Sequence, residues 1–141
     1  MTYAENTRDY FEMFYGKNTN LFIYDPEFAD FAFGEVVNHD DLDDRTRFMA
    51  ILASLLGCQG TDVFRAVLPA ALDFGVTPAE INEMIYQAAA YLGMGRIFPF
   101  LNITNEVFEE RGIPLPLPPL SAVTRQNRRE AGTRAQVDIF G

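Results

Sequence analysis

Tryptophan is absent from this chain, and cysteine and histidine occur once each, as Cys58 and His39. A single thiol excludes an internal disulfide, a CxxC redox pair and a cysteine-rich metal cluster. No apolar run approaches the roughly 20 residues needed to span a bilayer. The first nine residues are charged and lack the apolar segment of a secretory signal. These absences point to a soluble, cytoplasmic protein with no membrane partner. Bases are also scarce, with 11 Lys and Arg against 20 Asp and Glu for a net charge of −9. Such an acidic balance disfavours nucleic acid and anionic membranes as partners.

What is present suits one domain. A chain of 141 residues, 48% hydrophobic and 22% charged, can bury a core and is too apolar for disorder. Its 13 Phe and 6 Tyr exceed what a small core easily absorbs, and they read equally as subunit interface or as an aromatic-rich core. Charge divides the chain in two. Residues 1–112 hold 18 acids and 7 bases, a net of −11, whereas residues 113–141 hold 4 Arg and 2 acids, a net of +2. A basic tail after an acidic body is expected to dock on protein, its own subunit or a neighbour's.

The periodicity predicts helices throughout, hence an all-α bundle. Asp25-Pro26-Glu27 is a start signal, with Phe28, Phe31, Ala32 and Val36 on one face behind it. Asp43 caps the next helix, which places Phe48, Ile51, Leu52 and Leu55 on one side and Met49, Ala50 and Ala53 on the other, so it is expected to be central and buried. After Gly57 and Gly60 comes a stripe of Val63, Ala66, Val67, Ala70, Ala71 and Phe74, closed by Gly75 in a left-handed cap. Thr77-Pro78-Ala79-Glu80 is a capping box that opens a helix carrying Ile81, Met84, Ile85, Ala88, Ala89 and Leu92. The alanines on these two helices permit close approach, so the pair is expected as a central antiparallel hairpin. Gly93 and Gly95 precede a last long helix that ends near Arg111 and Gly112.

Residues 113–120, IPLPLPPL, cannot be helical, because alternating prolines hold the backbone extended. Leucines at the alternate positions predict a strap lying on the surface of a subunit. The tail beyond it ends in Ile139-Phe140-Gly141, and an echo of it ends in Phe14-Tyr15-Gly16 near the start of the chain. Each is preceded by an arginine, Arg134 and Arg8, so chance aside the tail reads as a pseudo-copy of the N-terminal segment. The chain therefore divides into a helical unit over 1–112 and a strap with tail over 113–141.

Four blocks in order resemble the carboxymuconolactone decarboxylase family. They are Phe31–Val37 with Leu42–Arg47, then Ala70–Ile81, then Tyr91-Leu92-Gly93, and finally the proline strap with its Ile139-Phe140-Gly141 end. The resemblance runs over roughly residues 8–112 plus the tail. It implies an all-α fold assembled into trimers or hexamers, with pockets near subunit contacts. It also implies one of two chemistries: cofactor-free decarboxylation of a carboxylated muconolactone in aromatic catabolism, or thiol peroxidase activity run by a Glu, a CxxC pair and a His. For the thiol chemistry, the positions of the cysteines hold Gly60 and Val63, that of the His holds Val67 and that of the Glu holds Phe48. Cys58 alone, without a resolving thiol or a base, cannot complete such a cycle.

Decarboxylation remains. It needs a cation to hold a substrate carboxylate, a donor for the enolate that forms and an acid to protonate it. Arg47, Arg65 and Arg96 are the candidate cations. Arg47 lies in the family-like block, and reads equally as a salt bridge tying helix starts together. Arg96 follows Gly93-Met94-Gly95 at a helix N-terminus, where backbone N–H groups also favour anions. Tyr91 can donate to an enolate oxygen, although a core tyrosine is the commoner case. Glu35 matches the Gly-Glu of the family block and is the expected acid or base. The family commonly has Trp and a basic residue where Val37 and His39 stand and His where Val67 stands, so His39 is a second candidate proton carrier. The carboxylates around His39 (Asp40, Asp41, Asp43 and Asp44) are expected to cap a helix and solvate a turn rather than hold a metal. Cys58 is expected half-buried and structural, with substrate contact as its other reading. The expectation is a carboxy-lyase acting on a small carboxylated or lactone-type molecule without a cofactor. The competing reading is a family member that binds small molecules or assembles without turnover.

Overall fold

The computed structural model describes Phe31, Glu35, Val36, His39 and residues 41–141. The proposed helix start at Asp25-Pro26-Glu27 and the N-terminal copy of the tail lie outside the described residues. Helix α1 spans Asp44–Cys58, α2 Thr61–Asp73, α3 Pro78–Leu92, α4 Met94–Glu110 and α5 Arg128–Phe140, and no strand occurs among the described residues.

Local chemistry sets each boundary. Asp43 caps α1 by accepting from the Thr46 backbone N–H at 3.0 Å and its hydroxyl at 2.6 Å. Those two donors hold the Asp43 carboxyl below its ordinary value, the hydroxyl contributing most. Gln59, at φ 63°, ends α1 in the left-handed region, which a non-glycine residue enters at a cost. The box over Thr77–Glu80 is complete. Glu80 N–H donates to the Thr77 hydroxyl, and the Glu80 carboxylate accepts from the Thr77 N–H at 2.9 Å. Gly75 at φ 89° follows α2, as expected from its place behind the apolar stripe. Two helices contain an internal proline, Pro69 in α2 and Pro99 in α4, each of which removes one N–H from the ladder.

The four helices α1 to α4 pack as two hairpins. α1 packs on α2 and α3 on α4, and the hairpins meet through α1 with α3 and α2 with α4. The alanine-rich α2 and α3, expected as the central hairpin, are not among the extensively packed pairs. Their connection through Gly75–Thr77 carries the chain across the bundle, and the buried faces of both turn to a common core instead. Side-chain pairs fix the directions. Arg45 bonds Glu80, bringing the starts of α1 and α3 together. Phe64 stacks edge-on against Phe100 at 5.0 Å and Arg111 bonds Asp73 at 2.5 Å, so α2 and α4 run the same way. Phe48 beside Phe74, at 5.3 Å, sets the start of α1 against the end of α2.

The core holds Phe48, Phe64, Phe100 and Phe108, all fully buried, with Leu52, Leu68, Ile85 and Ile97 among them. Phe64 and Leu68 belong to α2 but stand outside the stripe read from sequence. α1 is not buried all round: Phe48, Leu52 and Leu56 face the core, while Ala50 and Ala53 are exposed. In the proline-rich segment Ile113 and Leu117 pack on the core, whereas Leu115 and Leu120 are exposed. α5 buries no residue, and its Val137, Ile139 and Phe140 are exposed. No helix among the described residues is long and apolar enough to cross a membrane.

Candidate functional site

The hairpin directions sort the candidate residues by end. Starts of α1 and α3 and ends of α2 and α4 share one end of the bundle. The other end gathers the close of α1, the start of α2 and the turn from α3 to α4. Cys58, Tyr91 and Arg96 therefore lie at this second end, and Arg47 at the first.

Arg47 is engaged. Its guanidinium bonds Asp44 at 2.6 Å and the Leu42 carbonyl at 2.9 Å, stiffening the first turn of α1. Arg45 pairs with Glu80 across the starts of α1 and α3. Arg65 is held between Glu106 and Glu110, and Arg111 by Asp73. Each of these ties α2 to α4. Arg96 differs from them. It is exposed in the first turn of α4 and has no ion pair among the described residues. The cap of that helix is Gly93, which offers no side-chain oxygen, so the N–H groups of Met94 and Gly95 have no intrahelical acceptor. A cation and free amides at a positive helix end form a place for an anion.

Tyr91 is 89% exposed, so it is no core tyrosine; it lies in the last turn of α3, three residues before α4 starts. Cys58 is exposed rather than half-buried, its Sγ donating weakly to the Leu55 carbonyl at 3.7 Å. Gly60, the next glycine, leaves little room beside it, because a Cβ there would meet Leu55 at 3.0 Å and the Cys58 sulfur at 3.5 Å. Glu35 and His39 are both exposed, the His39 N–H donating to the Val36 carbonyl at 3.3 Å. No hydrogen bond or ion pair among the described residues joins any two of these seven candidates. Val67, where the family commonly has His, is buried in the core. Among the described residues no group of three or more His, Cys, Asp or Glu is placed to hold a metal ion.

Cavities on the described surface include two that these elements line. One of about 360 Å³ lies at the first end and is lined by Arg111 and the Gly75–Pro78 turn. The other, of about 630 Å³, lies between α3, α4 and the strap, and its polar lining was not foreseen from sequence. The signal was there in the spacing of Ala79, Asn82, Glu83 and Tyr86, which puts all four on one face of α3.

The profile of the carboxymuconolactone decarboxylase family matches residues 26–106, more than half of the chain. A 4-carboxymuconolactone decarboxylase of Acinetobacter baylyi is 34% identical over 83 residues, 59% of this chain and 62% of the relative. The chain thus spans less than two thirds of the length of that relative. The strap and α5 lie beyond the matched family residues.

Proposed function

The chain belongs to the carboxymuconolactone decarboxylase family, and from that premise we propose that it is a cofactor-free carboxy-lyase acting on a small carboxylated or lactone-type metabolite. The observation that carries this reading is Arg96. Of the arginines in α1 to α4 and the turn that follows, the others are tied to carboxylates, and Arg96 has no ion pair among the described residues at an uncapped helix start five positions after Tyr91.

In the proposed reaction Arg96 and the first amides of α4 hold a substrate carboxylate that stays in place. The bond from carbon to the second carboxylate breaks, CO₂ departs, and its electron pair moves into the conjugated lactone as an enolate. Tyr91 donates to the enolate oxygen, and the carbon takes a proton from Glu35, assigned by its place in the family-like block. His39 is the second candidate for that proton. Decarboxylation gains when water is kept from the leaving carboxylate. Exposed Tyr91, Met94 and Phe98 around Arg96 therefore support a homo-oligomer, trimer or hexamer, whose second subunit closes the site.

The buried Val67 favours a second reading, a family member that binds carboxylates without turning them over. A titration separates binding from its absence. With an unreactive dicarboxylate such as cis,cis-muconate, NMR should show saturable shifts at the Gly95 amide and Arg96 Nε, lost in Arg96→Ala. Shifts elsewhere, or none, contradict the assignment of the anion site under both readings.

A further inference from the structure

The cavity beneath the strap has a chemistry opposite to that of the Arg96 site. At about 630 Å³ it falls in the size range of small-molecule sites. Its floor is one face of α3, with Asn82, Glu83 and Tyr86, joined by Asn105 from α4, and its roof is the leucine and proline strap over residues 115–120. The lining contains a carboxylate, two amides, a phenol ring and apolar strap atoms, and no basic side chain. An anion placed there meets Glu83 with nothing to offset it.

Asn82, in this wall, has an Oδ1 that is buried and accepts no hydrogen bond, although buried polar atoms are generally paired. Tyr86 is 52% exposed although it lies in this wall, and an aromatic face beside a carboxylate is a place for an ammonium group. The net charge of −11 over residues 1–112 adds a field that concentrates cations near the body.

We infer that the cavity between the strap and α3 is a second binding site, separate from the carboxylate site at Arg96, for a primary amine carried on a small apolar or aromatic body. The ammonium pairs with Glu83 and lies on the Tyr86 ring, and the apolar body lies against Leu115 and Leu120. Such a ligand bridges α3 and the strap, whose Ile113 and Leu117 pack on the core.

Tyramine and 4-hydroxyphenylacetate, close in size and opposite in charge, test this on the full chain by calorimetric titration, without any turnover. Tyramine should bind saturably and at least tenfold more tightly than the anion. Glu83→Gln should weaken tyramine at least tenfold and Tyr86→Leu several-fold. Both side chains are exposed, so folding is retained and is checked by circular dichroism. Arg96→Ala should leave tyramine binding unchanged, which keeps this result independent of the proposed reaction. Equal binding of the two probes, no saturable binding of tyramine, or unchanged affinity in both wall variants overturns the site.

Discussion

Thr104 sits fully buried in α4 with its Oγ1 unbonded, among side chains that are otherwise apolar. A hydroxyl stripped of water and left without a partner costs stability, and valine has nearly the same shape. Thr104→Val should therefore stabilise the protein by about 1 kcal/mol, raising the thermal midpoint by a few degrees; a lower midpoint would show that the hydroxyl has a bonded partner. Asp43 makes the opposite case, since its charge is what the fold uses. Its folded pKa lies below the ordinary 3.8, so its contribution is complete above that value and is lost as pH falls through the lower folded one. The acid side of the stability profile should accordingly flatten in Asp43→Asn, and a profile with the wild-type acid slope would remove Asp43 from the account.

Among the elements, α3 owes its start to the box of Thr77 and Glu80, and Glu80 also reaches Arg45 on α1. Thr77→Ala should cost about 1 kcal/mol in chemical denaturation, and Thr77→Ser much less. Equal losses in the two variants would mean that the hydroxyl is not the cap. This box, the Asp43 cap and the turn at Gly75 were all legible in sequence, because each depends on residues within a few positions of one another. The pairing of helices was not. Small residues on α2 and α3 suggested a hairpin, yet the partners were decided by Phe64, Phe100 and Phe108 filling a shared core, a fact about distant residues. The candidate site divided in the same way. Arg96 was placed correctly at a helix start by Gly93 and Gly95, whereas the engagement of Arg65 depended on where Glu106 and Glu110 fell. The strap cavity needed the strap to be seen lying across α3.

At the scale of the whole molecule, a compact acidic body carries a basic helix, α5, that buries nothing against it. A 13-residue helix is marginal alone in water, so α5 requires a surface to rest on. The proposed oligomer supplies one, and removing residues 121–141 should lower the thermal midpoint and the assembled mass measured by ultracentrifugation. An unchanged mass and midpoint would leave α5 without a structural role. The surface ion pairs tell less, since Arg65 and its two carboxylates are more than one third exposed. Arg65→Gln should cost less than about 1 kcal/mol. The central claim is that the end of the bundle with Tyr91 and Arg96 removes CO₂ from a carboxylated lactone. Its most direct test is the loss of 4-carboxymuconolactone absorbance with the purified full chain, beside Arg96→Ala and Glu35→Gln. The account predicts turnover by the wild type and at least a hundredfold loss of kcat/KM in each variant. Turnover unaffected by either change, or none from a folded and assembled wild type, would contradict it.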